Sequence, residues 1–276
     1  PLRLQIDNVR SPHNATFHMD FIQKLADHKM NTYQIHASDD QGYSMPSKAY
    51  PNLPSPSLAL TQAEAEALQA KAAELHVHIV AEVDLPVRTI ALNSNKVTPS
   101  DAKAAHRSFS SILRVLGLIH CRCLVCRGEQ GHSHGLLKGL PQLAAVSSKT
   151  GKPCSQINIT SPDAIKILQT LLGEVMELFP GPMHHLGADE VQWSPECNMT
   201  KANYHAFINT MNDFVRSKNR TMIVWEGFDP APGGILTHSN RCIRTRTRAQ
   251  TRQFHVGLES LIHSGIDTHS KIQKTI

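Results

Sequence analysis

Strand-like apolar runs alternate with amphipathic, helix-like stretches from residue 3 to residue 227, and this alternation restricts the fold more than any other feature. The strand-like runs are "RLQIDN" (3–8), "NTYQIHA" (31–37), "VHIVAEVD" (77–84), "MHHLGAD" (183–189) and "TMIVWEG" (221–227). Between them, 15–30 places Phe17, Phe21, Leu25 and Ala26 on one helical face, and 61–76 opens with the capping box Thr61-x-x-Glu64. Residues 161–179 begin with Ser161 and Pro162, a cap and a first-turn residue, and carry Ile165, Leu168, Leu172, Val175 and Phe179 at the helical period. Residues 203–217 repeat that pattern with Tyr204, Phe207, Ile208, Met211, Phe214 and Val215. Strands joined through helices in this way run parallel, linked by right-handed crossovers.

Two architectures satisfy the pattern, a doubly wound open sheet and a (β/α)8 TIM-type barrel. Residues suited to chemistry fall at or just past the strand ends: Arg10, Asp39 with Asp40, Asp84, Asp189 with Glu190, and Trp225. Both architectures put function at strand C-termini, but only a closed barrel makes five consecutive strand ends converge on one pocket. No glycine-rich phosphate fingerprint follows the first strand. The expected class is therefore α/β, a (β/α)8 TIM-type barrel that is incomplete, with about five βα units recognisable and an irregular insert and tail.

Asp189 and Glu190 stand side by side in "HHLGADEVQW" (184–193). Successive strand side chains point to opposite faces, so both acids enter one pocket only where the strand ends and turns. Carboxylates held so close resist ionising together, which keeps one available as a neutral acid.

Composition mainly excludes. No apolar run approaches the roughly 20 residues of a membrane span, so no transmembrane segment is expected. Net charge of +5 owes much to "RCIRTRTRAQTR" (241–252), with five Arg and no acid. That stretch lacks an aromatic platform or helical pattern, so no nucleic-acid partner is expected. "HCRCLVC" (120–126), with His132 and His134 nearby, has zinc-ligand residue types without the paired CxxC spacing, so neither metal nor cofactor is expected. Sequons at Asn14, Asn158, Asn198 and Asn219 lean towards a secretory or lysosomal route, although at Asn219 a glycan is expected to clash with the adjoining strand. The chain begins with Pro1 and shows no signal peptide, so the natural N-terminus is expected to lie upstream.

The texts "QIDNVR", "HKMNTYQIHASDDQG", "AEVDLP", "GHSHGL", "KPCSQINIT", "HLGADEV" and "MIVWEGFD" occur in that order over residues 1–86 and 131–229. Together they resemble the catalytic domain of the family-20 glycoside hydrolases, the β-N-acetylhexosaminidases, whose catalytic motif is H-x-G-[GA]-D-E. The resemblance implies substrate-assisted, retaining hydrolysis of β-linked N-acetylhexosaminides in glycoproteins, glycolipids or chitin fragments. Glu190 takes the place of the general acid/base and Asp189 that of the group orienting the 2-acetamido N–H. Arg10 matches the sugar-binding arginine, and Trp225 the indole that walls the acetamido methyl. Asp39, Asp84 and His132 match a supporting relay behind the acid. The resemblance further implies a Cys154–Cys197 disulfide, a lysosomal or secreted location, and a homodimer as in relatives. A catalytically impaired carbohydrate-binding fragment of the same family is the alternative reading.

The chain departs from that family in three places. The family's E-[IV]-D-x-P-G-H element is split here, with 44 residues (87–130) between Pro86 and Gly131. This segment holds three of the six cysteines, begins Val-Arg and ends in Gln, whose codons can spell splice sites; it is expected to be translated intron. After Asp229 the alternation dissolves, the later Tyr-x-Asp and Trp-x-Glu motifs have no counterpart, and no Trp or Tyr follows Trp225. Ala188 stands where glycine is common. The expected organisation is a partial barrel over 1–229, interrupted by the irregular insert 87–130, and an irregular basic tail over 230–276, in keeping with a fragment or faulty gene model.

Overall fold

Short polar residues start each long helix. Asn14 accepts the Phe17 amide at 3.0 Å and opens α1 (Ala15–Asp27). Thr61 and Glu64 form the expected reciprocal box at the start of α2 (Gln62–Glu74), with Thr61 N–H donating to Glu64 Oε2 at 2.8 Å and Glu64 N–H to Thr61 Oγ1 at 3.2 Å. Pro162 begins α4 (Pro162–Leu178) behind its Ser161 cap, and Thr200 caps α5 (Lys201–Ser217) by accepting from Asn203. Between α2 and α4 lies the short α3 (His134–Gly139). The computed structural model describes residues 3–57, 59–86, 133–188, 191–225 and, for backbone only, 243–245.

One sheet carries the fold. Its strands are β1 (Arg3–Asp7), β2 (Thr32–His36), β5 (His78–Glu82), β8 (Met183–His185), β9 (Thr221–Trp225) and β10 (Ile243–Thr245), and every adjacent pair is parallel. They lie side by side in the order in which they occur along the chain. A doubly wound sheet reverses direction at a switch point. Stepwise addition to one edge is the winding of a β/α barrel, and the chain is an α/β protein of that class with part of the barrel described. Two small hairpins, β3 (Ser38–Asp39) with β4 (Gly42–Tyr43) and β6 (Ala144–Val146) with β7 (Pro153–Ile157), stand on the loops after β2 and β5.

Strand alternation sorts the side chains into two layers. Ile6, Tyr33, Ile35, Ile79, Ala81, Met222 and Val224 join the buried cluster with Leu25, Leu68, Leu172 and Phe207 of the helices. Each large apolar side chain buried in this way stabilises the fold by roughly 1.5–3 kcal/mol. The opposite positions, Gln5, Gln34, His36, Glu82 and Trp225, form a polar interior joined by hydrogen bonds.

Three expectations change. The fourth strand ends at His185 instead of 189, because Gly187 (φ 74) and Ala188 (φ 68) are left-handed and break the ladder. The tail is not wholly irregular: Ile243–Thr245 pairs with Ile223–Trp225, a strand of three residues that is too short to show a period. Asn219 (φ 58) is exposed in the turn between α5 and β9, outside the strand itself, so burial does not bar a glycan there. Among the described residues no helix is long and apolar enough to cross a membrane. The insert 87–130 and, apart from 243–245, the tail lie outside the described residues.

Candidate active site at the C-terminal ends of the strands

Asp7 ends β1 and organises the turn after it. Its Oδ1 accepts the amides of Val9 (3.1 Å) and Arg10 (2.9 Å), while Oδ2 takes Arg10 Nη1 at 2.8 Å. Arg10 turns its other terminal nitrogen, Nη2, onto Asp39 Oδ2. The planar fork thus bridges two carboxylates from different strands with a separate nitrogen for each, an arrangement suited to arginine. The Arg10 side chain is 20% exposed, whereas Asp39 is wholly buried. The positive charges of His36 and Arg10 outweigh burial and hold the Asp7 carboxyl below its usual range.

Asp39 leads inward. Its Oδ2 also meets His36 Nε2 at 2.8 Å, and His36 Nδ1 lies 3.1 Å from Glu82 Oε1. Glu82 accepts from three strands of the interior: the Trp225 indole N–H on Oε1 (2.7 Å), and Gln34 (2.5 Å) and Gln5 (3.0 Å) on Oε2. Trp225 is 3% exposed, with the His185 ring 4.7 Å away and the Arg3 guanidinium 5.8 Å from its centroid. Arg10 and Trp225, the two sugar-contact candidates, are therefore the ends of one continuous chain through Asp39, His36 and Glu82.

Asp84 has a different task. Its own amide donates to Ser38 Oγ at 2.7 Å, and its Oδ1 accepts the Ala188 amide at 3.1 Å. The Ala188 carbonyl takes the Tyr204 hydroxyl at 2.6 Å, and the Gly187 carbonyl takes the Trp225 amide at 2.8 Å. The left-handed pair Gly187–Ala188 is thus pinned on both sides immediately before Asp189. Downstream, Gln156 Nε2 donates to the Gln192 carbonyl at 2.9 Å, and the Cys154–Cys197 disulfide, with Cα atoms 6.2 Å apart, ties β7 to the loop following Glu190. Asp189, Glu190 and His132 lie outside the described residues. Ser133, the residue after His132, is buried, and Gly135 packs so closely on the β3–β4 hairpin that a β-carbon there would come within 2.7 Å of the Gly42 backbone.

Asp7, His36 and Asp39, and again His36, Glu82 and Asp84, bring ligand-type atoms within 4.8 Å of one another. Arg10 already supplies positive charge to the first group, and the indole and two amides fill Glu82, so these oxygens are arranged for protein donors and not for a bare cation. Cys121, Cys123 and Cys126 of the zinc-like stretch lie outside the described residues, and His134 is exposed on α3.

The sequence reading picked out Arg10, Asp39, Asp84 and Trp225, and the structure brings Arg10 to Asp39 directly and to Trp225 through two residues it passed over. Those two, His36 and Glu82, had a signal in the sequence: Gln5-x-Asp7, Gln34-x-His36 and Glu82-x-Asp84 put polar residues at the strand period on the face away from the helices.

The profile of the glycosyl hydrolase family 20 catalytic domain matches residues 3–250. The beta-hexosaminidase subunit A2 of Dictyostelium discoideum is 22% identical over 286 aligned residues, covering 96% of this chain and 43% of that protein. Among solved structures, a Flavobacterium johnsoniae chitobiase superposes with a TM-score of 0.61 at 21% identity, over 88% of this chain and 33% of that one. A Bacteroides fragilis beta-N-acetylhexosaminidase gives 0.61 at 17% identity, over 95% and 47%. These likenesses concern the fold, and the chain spans less than half the length of each of the three proteins.

Proposed function

The chain belongs to glycosyl hydrolase family 20, and on that premise we propose that it removes terminal, non-reducing β-linked N-acetylglucosamine or N-acetylgalactosamine by substrate-assisted, retaining catalysis. Glu190 protonates the departing glycosidic oxygen as the substrate's acetamido carbonyl oxygen attacks the anomeric carbon, and the bond to the aglycone breaks. Asp189 holds the acetamido N–H and offsets the positive charge of the oxazolinium-type intermediate. Glu190, now a carboxylate, takes a proton from the water that opens this intermediate, and two displacements retain the configuration. Arg10 grips sugar hydroxyls with the edge of its guanidinium, Trp225 walls the acetamido methyl, and Asp39, Asp84 and His132 steady the acid.

The observation that carries this reading is the pinned left-handed turn at Gly187–Ala188. It ends β8 directly ahead of the two acids, beside Trp225 and Asp84, where a turn is needed for adjacent acids to share a pocket. The Cys154–Cys197 bridge supports folding in an oxidising compartment, hence a lysosomal or secreted protein acting on glycoprotein, glycolipid or chitin-derived glycans.

An aryl N-acetylglucosaminide assay tests the proposal. Glu190→Gln is expected to lower kcat by about 10²–10⁴-fold while sugar binding persists. Near-normal turnover in that variant removes Glu190 from its role.

A further inference from the structure

His36 has a carboxylate on each ring nitrogen, Asp39 at 2.8 Å from Nε2 and Glu82 at 3.1 Å from Nδ1, with all three side chains fully buried. A neutral imidazole has one N–H and one lone pair. In that form one of the two contacts would set lone pair against lone pair, whereas an imidazolium donates to Asp39 through Nε2 and meets Glu82 through Nδ1 as a close ion pair. The surroundings agree in sign. Asp7 on β1 and Asp84 beyond β5 add negative charge. The cations that face the group are Arg10, engaged with Asp7 and Asp39, and Arg3, set over Trp225. Burial alone would push the His36 pKa down, but the Glu82 charge and the bonds from Asp39 and Glu82 raise it well above 6.5.

The same oxygens serve two partners each. Asp39 Oδ2 meets both His36 and Arg10, and Glu82 Oε1 meets both His36 and Trp225. We propose that His36 is a permanent imidazolium and that Glu82–His36–Asp39 is a positioning unit, which fixes Arg10 at one end and Trp225 at the other and so sets the span of the sugar pocket. The positioning half rests on the glycosidase reading; the charge of His36 does not.

The first experiment needs no substrate. In the full chain labelled with 15N-histidine, His36 is assigned by the signal lost in His36→Gln. Protons on both ring nitrogens are expected to persist well above pH 6.5. A His36 that titrates near about 6.5 and keeps a single N–H above it overturns the proposal. The second uses Glu82→Gln, which removes one flanking charge and preserves shape. Its His36 is expected to deprotonate at lower pH than in the parent, and N-acetylglucosamine affinity to weaken about tenfold as pH rises through that titration, with KM rising and kcat changing less. Wild-type affinity should stay flat over the same range. A variant whose pH profile parallels wild type, however destabilised, makes the unit mere filling and overturns its positioning role. A chain that binds no N-acetylglucosamine at any pH does the same, and it is told apart from failure of the Glu190 assignment because Glu190→Gln leaves sugar binding intact.

Discussion

Alanine in place of Gly187 challenges the turn ahead of the acids at its tightest point. Gly187 has φ 74, and a β-carbon there would overlap the Asp84 carboxylate and lie 2.9 Å from its Cα. Holding a residue with a side chain in the left-handed region costs about 1–2 kcal/mol. The Asp84 carboxylate would have to swing aside, giving up the Ala188 amide, a bond to a charged group worth about 1.5–3 kcal/mol. Against this, alanine restricts the unfolded chain and returns about 0.4–1 kcal/mol. The net expectation is a loss of about 2–4 kcal/mol, and in urea, with a slope of about 3 kcal/mol/M, a midpoint lower by about 1 M. Gly173→Ala is the internal control: Gly173 is in the interior of α4, and its added β-carbon would meet Phe214 Cζ at a comfortable 3.8 Å. There the helix should gain about 0.5–1 kcal/mol. If Gly187→Ala unfolds within about 0.5 kcal/mol of wild type while the control gains as expected, the tight packing of the turn on Asp84 is wrong.

Two further outcomes can be checked by equilibrium unfolding. His18 is enclosed between the Tyr33 hydroxyl (2.5 Å) and Asn8 Oδ1 (3.0 Å), and burial, then the charge of His13, lowers its pKa to about 4. A folded value below the unfolded one means that its stabilisation is complete above pH about 6.5 and fades as pH falls towards about 4, by up to about 3 kcal/mol; His18→Gln should flatten that slope, and an unchanged slope would refute the assignment. Cys154→Ser opens a loop with a sequence separation of 43, which by chain entropy alone costs about 4 kcal/mol. A variant as stable as the parent, and with one free thiol fewer instead of one more, would mean that the bridge does not form in solution.

The legible parts of the fold were those with a local cause. Caps at Thr61 and Ser161 and the apolar stripes behind them located the helices to within three residues of most observed ends. Strand four was read too long because a run of apolar and small residues conceals a left-handed pair, and β10 and the hairpins are too short to have a period. Arg10, Asp39, Asp84 and Trp225 were found through motif text. His36 and Glu82 were missed because chemistry was sought at or just past the strand ends, whereas these two lie inside the runs 31–37 and 77–84, on a face that lines a polar interior. What joins these residues is tertiary: Glu82 meets Trp225 across a sequence distance of 143.

Either side of the interval between Pro86 and Ser133 the chain meets itself again without needing the covalent link. β5 pairs with β8, the Val83 and Leu85 amides donate to the His185 and Leu186 carbonyls, Asp84 grips Ala188, and Gly135 seats on the Asp39 hairpin. Mechanically the frame behaves as two pieces dovetailed along one seam. A nick inside the interval would therefore leave a two-chain protein that stays assembled and survives gel filtration as a single particle.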